Sequence, residues 1–340
     1  MNSLKELRAT RFYINNVLKN NSNHPLVETI ARKCDRRCNP LPYSSNEAVK
    51  IARSEFALQK SESNLIVMLT SRCPQICSSC FMAESMGSPT PREEIEHILD
   101  GVERSPGLVE ITLSGGEPLS VEPGILSRIA DRLREINGKR GEKLLVTIAT
   151  RLPVVAPHLL ANGRMDALVK LAPTGIDIHV LHPDEVTAEF SALCRRISRT
   201  IPGVSLRTNH PLLKGINDSA EMLRALFVKL AAEAGVMPGR LMLPMPGPTP
   251  EKLMVSLERG MEIIRELHRI VPSQLVPSLL AYSPISGKSI VDPFHLKKDG
   301  SFGFDVTPDG RLEGMFIKDG SGLQHACAVK LEASCIEKAA

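Results

Sequence analysis

The sequence predicts an α/β fold, a partial or full parallel (β/α) barrel, on three observations. Short apolar runs alternate with amphipathic helical patterns six or seven times from residue 64 onward, and the connections between them are only a few residues long. The composition, 42% hydrophobic and 24% charged over 340 residues, is that of a folded chain with length enough to bury a core unaided, which excludes a disulfide-stapled miniprotein. An open doubly wound sheet satisfies the same alternation.

Residues 1–60 read as a helical N-terminal extension. LKELRATRFYINNVLKN, PLVETIARK and NEAVKIARSEFALQ carry helical spacing, and the Pro-containing NPLPYSSN interrupts them. Residues 61–290 read as the barrel core. NLIVMLT leads to PREEIEHILDGVER, LVEITLS to VEPGILSRIADRLREI, and KLLVTIAT follows as a third strand. IDIHVL then leads to DEVTAEFSALCRRISR, VSLRT to DSAEMLRALFVKLAAEAG, RLMLP to TPEKLMVSLERGMEIIRELHRI, and QLVPSLLAY closes the series. Residues 291–340 form a small appendage. There FGFDVTPDGRLEGMF carries a hairpin signal at Asp309-Gly310, and a cysteine-containing tail follows.

Charge narrows the function classes. The 42 Lys and Arg against 38 Asp and Glu leave +4, interspersed along the chain, and Trp is absent, so neither a nucleic-acid footprint nor a stacking platform is expected. No apolar run approaches the ~20 residues of a membrane span. The start, MNSLKELRATRF, lacks the apolar stretch of a signal peptide, so a cytoplasmic location is expected, where thiols favour metal ligation over disulfides.

Eight cysteines fall mostly in clusters, at 34, 38, 73, 77, 80, 194, 327 and 335. Cys73, Cys77 and Cys80 are spaced C-x3-C-x2-C on the loop after the first barrel strand. Three thiolates hold three irons of a [4Fe–4S] cube and leave the fourth open to a substrate or cofactor. A structural zinc site usually wants four N or S ligands in two closely spaced pairs, so a zinc-binding structural protein is the remote alternative. The next strand ends in LSGGEPL, where Gly115 and Gly116 allow close backbone approach and Glu117 brings a carboxylate.

These two motifs on successive strand ends resemble the radical S-adenosylmethionine superfamily. The resemblance implies that Cys73, Cys77 and Cys80 bind the cluster and that Gly115, Gly116 and Glu117 hold the methionine end of S-adenosylmethionine. An external one-electron reductant would then drive cleavage to a 5′-deoxyadenosyl radical. Over roughly residues 47 to 320 the chain further resembles the lysine 2,3-aminomutase family. That likeness runs through ATRLPVVAP, IHVLHPDEVT, LLKGIND, VPSLLAYSPISGKS and FGFDVTPDGRLEGMF. It implies pyridoxal 5′-phosphate on Lys288 as a Schiff base, Arg151, His179 and Asn209 near the cofactors, and a small amino substrate, and it allows a homo-oligomer. His182 reads equally as a core or a site residue, and Lys214 as an anion contact or a surface charge.

The family pattern is broken at two places. Phe81, Met82 and Ala83 stand where the family has a basic run for the substrate carboxylate. Leu241 to Pro250 contains no acid to face the distal ammonium of lysine. A buried unpaired ammonium is costly, so an aminomutase acting on an amino acid or amino-acid-like metabolite other than lysine is expected. The alternative is a radical enzyme with an auxiliary cluster that inserts sulfur, dehydrogenates or otherwise modifies a specialised metabolite. Cys34, Cys38, Cys327 and Cys335 are candidates for such a second site, holding an auxiliary iron–sulfur cluster or zinc. Ser219 stands at the family's zinc-ligand position, and Cys194 reads as core.

Overall fold

A computed structural model describes residues 4–31, 54, 56–61, 63–80, 89–161, 163–244, 249–283 and 287–291, together with two-residue strand pieces at 305–306, 312–313, 315–316 and 327–328. One nine-stranded sheet carries the fold. Its strands are β1 (Ala57–Ser61), β2 (Asn64–Thr70), β3 (Glu110–Gly115), β4 (Leu145–Thr150), β5 (Gly175–Ile178), β6 (Ser205–Pro211), β7 (Met237–Met242), β8 (Ser278–Ser283) and β9 (Gly287–Ile290), in that spatial order. Strands β2 to β8 are parallel, whereas β1 and β9 pair antiparallel at the two edges. The sheet therefore ends in β1 and β9 without closing, and of the two expected barrels the partial one is formed.

The helices between parallel strands are α1 (Arg92–Glu103), α2 (Pro123–Gly138), α3 (Leu152–Val155), α4 (Arg164–Leu171), α5 (Ala188–Thr200), α6 (Ala220–Lys229) and α7 (Leu257–Ile270). Alternate strand residues supply the core: Leu65, Val67 and Leu69 from β2, Ile111 and Leu113 from β3, and Ile176 and Ile178 from β5 are all buried. They meet the apolar stripes of the helices, such as Ile95, Ile98 and Leu99 of α1. Hydroxyl caps start three of these helices, with Thr187, Ser219 and Ser256 accepting from the N–H of Phe190, Met222 and Arg259. Ser219 thus serves as a cap.

The structure refines the sequence reading at four places. First, residues 4–31 are helical only in short pieces, a 3-10 helix at Leu4–Glu6, a π-helix at Tyr13–Val17 and a 3-10 helix at Pro25–Thr29. This segment is rich in Asn, which competes for backbone bonds outside helices, and Lys19 and Asn20 take positive φ and break the pattern. Second, Ala57–Ser61, expected to end a helix, is β1, which pairs antiparallel with β2. Third, the segment between β4 and β5 holds α3 and α4, which the apolar pattern did not reveal. Fourth, Lys288 lies in the antiparallel strand β9, where it faces Tyr282 of β8 in register. Near the C-terminus Asp305–Val306 lies antiparallel to Leu312–Glu313.

Candidate active site

The chemistry-bearing residues gather where the parallel strands end. After β2, residues 71–80 fold back onto the N-terminal segment through main-chain bonds. Ile76 N–H donates to Arg8 O, Ala31 N–H to Ile76 O and Ser78 N–H to Thr29 O, each at 2.9 Å, and Ile30 bridges Cys77. The Ser78 hydroxyl also donates to Glu28 O at 2.8 Å. Cys73, Cys77 and Cys80 are all half-buried and reduced on this loop. Burial pushes the Cys73 thiol well up, and the charges of Glu117, Cys77 and Cys80 push it the same way. A cationic centre at the thiols would reverse that balance.

The Gly-Gly-Glu turn at the end of β3 packs directly under this loop. Gly115 has φ +111, and a Cβ there would collide with Thr70 O; one on Gly116 would collide with Arg72 O. Gly116 N–H donates to Thr70 O at 2.6 Å and Glu117 N–H to Arg72 O at 2.8 Å. The close approach that these glycines permit is thus to the root of the cysteine loop itself. Glu117, 1% exposed, accepts from the Thr150 hydroxyl (2.6 Å), Arg151 N–H (2.8 Å) and Leu119 N–H (3.0 Å). Burial raises its pKa, and these bonds oppose the rise.

Arg151, first residue after β4, turns its guanidinium inward. Nη1 donates to Cys77 Sγ at 3.2 Å, and Nη2 bonds Glu185 Oε1 at 2.5 Å and the Tyr13 hydroxyl at 3.3 Å. Tyr13 also donates to Glu185 at 2.5 Å and lies beneath the guanidinium, 5.7 Å from ring centre to Cζ. Tyr13 and Glu185 are fully buried, and Glu185 Oε2 accepts from Leu181 N–H. Burial opposes the charge on Arg151, but Glu185, Cys77 and Tyr13 together outweigh it and keep the guanidinium protonated. Sequence reasoning found Arg151 but missed Tyr13 and Glu185.

His179 follows β5 directly, and Asn209 lies on the next strand, β6. His179 N–H donates to Thr150 O at 3.0 Å, and the Asn209 Oδ1 is buried with no hydrogen-bond partner. Neither the nitrogen nor the oxygen of the Gln75 carboxamide, between Cys73 and Cys77, has a partner, and the residue is 1% exposed. Three thiols on one loop with orphaned carboxamide atoms nearby fit a cluster with one open iron and a polar cofactor over it. Lower in the sheet, Asp177 takes both Arg207 and Arg240 at 3.1 Å. Lys214 is exposed, and Cys194 is buried core, its thiol pushed up to about 12 by burial.

His182, His24 and Asp184 form a second donor cluster, with His24 Nε2 3.0 Å from Asp184 Oδ2 and His182 Nδ1 3.3 Å from it. Each ring, however, accepts a main-chain N–H at Nδ1, from Leu26 and Asp184, which leaves its own proton on Nε2. Metal-bound imidazoles donate from their second nitrogen, so these histidines act as turn caps and clamp the N-terminal segment. Cys34, Cys38 and Cys335 lie outside the described residues. Cys327 is described only as backbone, paired with Phe316, and Lys288 only as backbone in β9.

No family model matches the chain. It is 31% identical over 239 residues to a protein of Aquifex aeolicus described as "Putative L-lysine 2,3-aminomutase", which spans 69% of this chain and 63% of that one. It is 27% identical over 282 residues to an L-lysine 2,3-aminomutase of Escherichia coli, 80% of this chain and 79% of that one. A glutamate 2,3-aminomutase of Clostridioides difficile is 24% identical over 258 residues, 75% and 59% of the two chains. The chain spans 63%, 53% and 52% of the length of the first three curated relatives it matches. Among solved structures, a radical SAM methyltransferase from Sphaerobacter thermophilus overlaps 66% of this chain and 68% of its own at 16% identity, with a TM-score of 0.46, an overlap on which nothing further is built.

Proposed function

We propose that the chain, related to the lysine 2,3-aminomutases, is a radical S-adenosylmethionine enzyme that moves an amino group on an amino acid or amino-acid-like metabolite other than lysine. Cys73, Cys77 and Cys80 would hold a [4Fe–4S] cluster, and the turn at Gly115, Gly116 and Glu117 with Asn209 and His179 would border S-adenosylmethionine. When bound, these groups supply one electron that breaks a carbon–sulfur bond and so yields a 5′-deoxyadenosyl radical able to take hydrogen from an unactivated carbon. Lys288 would carry pyridoxal 5′-phosphate, which holds the migrating nitrogen.

The chain's own residues have definite tasks in this reading. The N-terminal segment covers the cysteine loop and limits water. Glu117 ties the turn after β3 to the start of α3, so that the loops after β2, β3 and β4 move as one piece. Thr150 and Arg151 N–H hold that carboxylate in place.

The observation that carries the proposal is the seating of the Gly-Gly-Glu turn on the root of a loop bearing three half-buried thiols. The test is anaerobic reconstitution with iron and sulfide, then incubation with S-adenosylmethionine, reductant and a panel of amino acids. Formation of 5′-deoxyadenosine, and its loss in Cys77→Ala, is expected. A reconstituted protein that holds iron but never yields 5′-deoxyadenosine refutes the radical reading. Borohydride reduction with pyridoxal phosphate, followed by peptide mass mapping, is expected to label Lys288; a label elsewhere, or none, removes the aminomutase reading.

A further inference from the structure

Among the described residues, Arg151 donates a hydrogen bond to a cluster cysteine from a buried framework of its own. Its Nη1 reaches Cys77 Sγ at 3.2 Å while Nη2 is fixed by Glu185 at 2.5 Å and the Tyr13 hydroxyl at 3.3 Å. Arg151 is 8% exposed, and its two partners are fully buried. Glu185 is anchored in turn by Leu181 N–H, and Tyr13 by its place in the N-terminal core. This is an ion pair laid out as a dipole: the positive end touches the sulfur and the negative end is held on the far side. We propose that Arg151, locked by Glu185 and Tyr13, is a positioning residue that raises the reduction potential of the cluster held by Cys73, Cys77 and Cys80.

The physical basis is the charge change at the cluster. Reduction adds one electron, and a guanidinium at a coordinating sulfur stabilises the more negative state through charge and through the N–H···S bond. Burial makes both effects stronger than at a solvated site. Arg151 thereby makes the cluster easier to reduce by an external donor, and the N-terminal segment, through Tyr13, becomes part of the redox machinery. The inference rests on the cluster reading proposed above.

The test is an EPR-monitored redox titration of the reconstituted protein. Removing Arg151 alone strands the Glu185 charge, so the main variant is Arg151→Met with Glu185→Met, since apolar replacement of a whole buried pair is often neutral to stability. That variant is expected to keep its iron and to show a lowered midpoint. The expected shift is roughly tenfold in the one-electron equilibrium, about 59 mV. Tyr13→Phe, which keeps both charges, is expected to shift the midpoint in the same direction by less. Arg151→Lys, which keeps the charge but not the forked geometry, is expected to recover part of the loss. A purely structural role predicts the same midpoint in every variant that retains full iron, and that result overturns the inference. If the double variant holds no iron, Tyr13→Phe decides: an unchanged midpoint overturns the inference and a lowered one supports it. If the wild-type chain assembles no cluster, the cluster reading itself fails, and this inference with it.

Discussion

His210 makes the stability of the fold depend on pH in a way that can be worked through. It lies on β6, fully buried against Phe227, with their ring centres 6.0 Å apart, and neither ring nitrogen has a hydrogen-bond partner. Burial, aided by His179 and Arg151, pushes its pKa from 6.5 down to about 3. The depressed value means that the folded state binds the proton less well than the unfolded chain. Stability is therefore complete above pH 6.5, and it is lost progressively as the pH falls from 6.5 to about 3. Linkage gives a loss of about 0.8 kcal/mol at pH 6 and about 2 kcal/mol at pH 5. His210→Leu removes the titrating group at similar volume. Urea unfolding of both proteins at pH 7.5 and 5.0 isolates the contribution, because the other histidines are common to the two. The wild type is expected to lose about 2 kcal/mol more than the variant, a midpoint difference of roughly 0.7 M for a slope of about 3 kcal/mol/M. Equal losses in the two proteins would refute the reasoning.

Three further outcomes are expected. Gly116→Ala places a methyl against Arg72 O, a main-chain atom that no rotamer change can clear, so a destabilisation of ~1–3 kcal/mol is expected in chemical denaturation. Glu185→Ala leaves a buried guanidinium unpaired and is expected to cost ~3–5 kcal/mol in the same assay, whereas Arg151→Met with Glu185→Met costs far less. Thr150→Val removes the 2.6 Å bond to buried Glu117 and is expected to cost ~1–3 kcal/mol, with Thr150→Ser restoring most of it.

The barrel and the cysteine triplet were legible because their signals are local. Alternating apolar runs mark strands within seven or eight residues, and three thiols at fixed spacing announce metal wherever they lie. What stayed hidden depends on partners distant in the chain. Arg151 is 138 residues from Tyr13 and 34 from Glu185, so no sequence window holds the three together. The shape of residues 4–31 was hidden for a related reason: it is set by main-chain bonds to residues 76–78 and not by its own periodicity. The edge strand β1 was read as helix because its five residues, two apolar followed by three polar, carry no strand alternation of their own, and pairing with β2 makes it a strand. The three donors that the Glu117 carboxylate already accepts were hidden as well, because they come from tertiary placement.

The zipper between the N-terminal segment and the cysteine loop has a consequence for which mutations the protein tolerates. Its bonds run from the amides of Ile76, Ala31 and Ser78 to the carbonyls of Arg8, Ile76 and Thr29, atoms that every amino acid except proline supplies in full. Apart from the Ser78 and Thr29 hydroxyls, which make bonds of their own, the zipper itself places little demand on side-chain identity at these positions. Length is not free, since deleting or inserting one residue between Arg8 and Ala31 slips every donor past its acceptor. A deep mutational scan of this stretch would accordingly show tolerance at its exposed positions, with sharp losses at prolines, single-residue insertions and deletions, and buried anchors such as Tyr13, Val17, Leu18, Leu26 and Ile30.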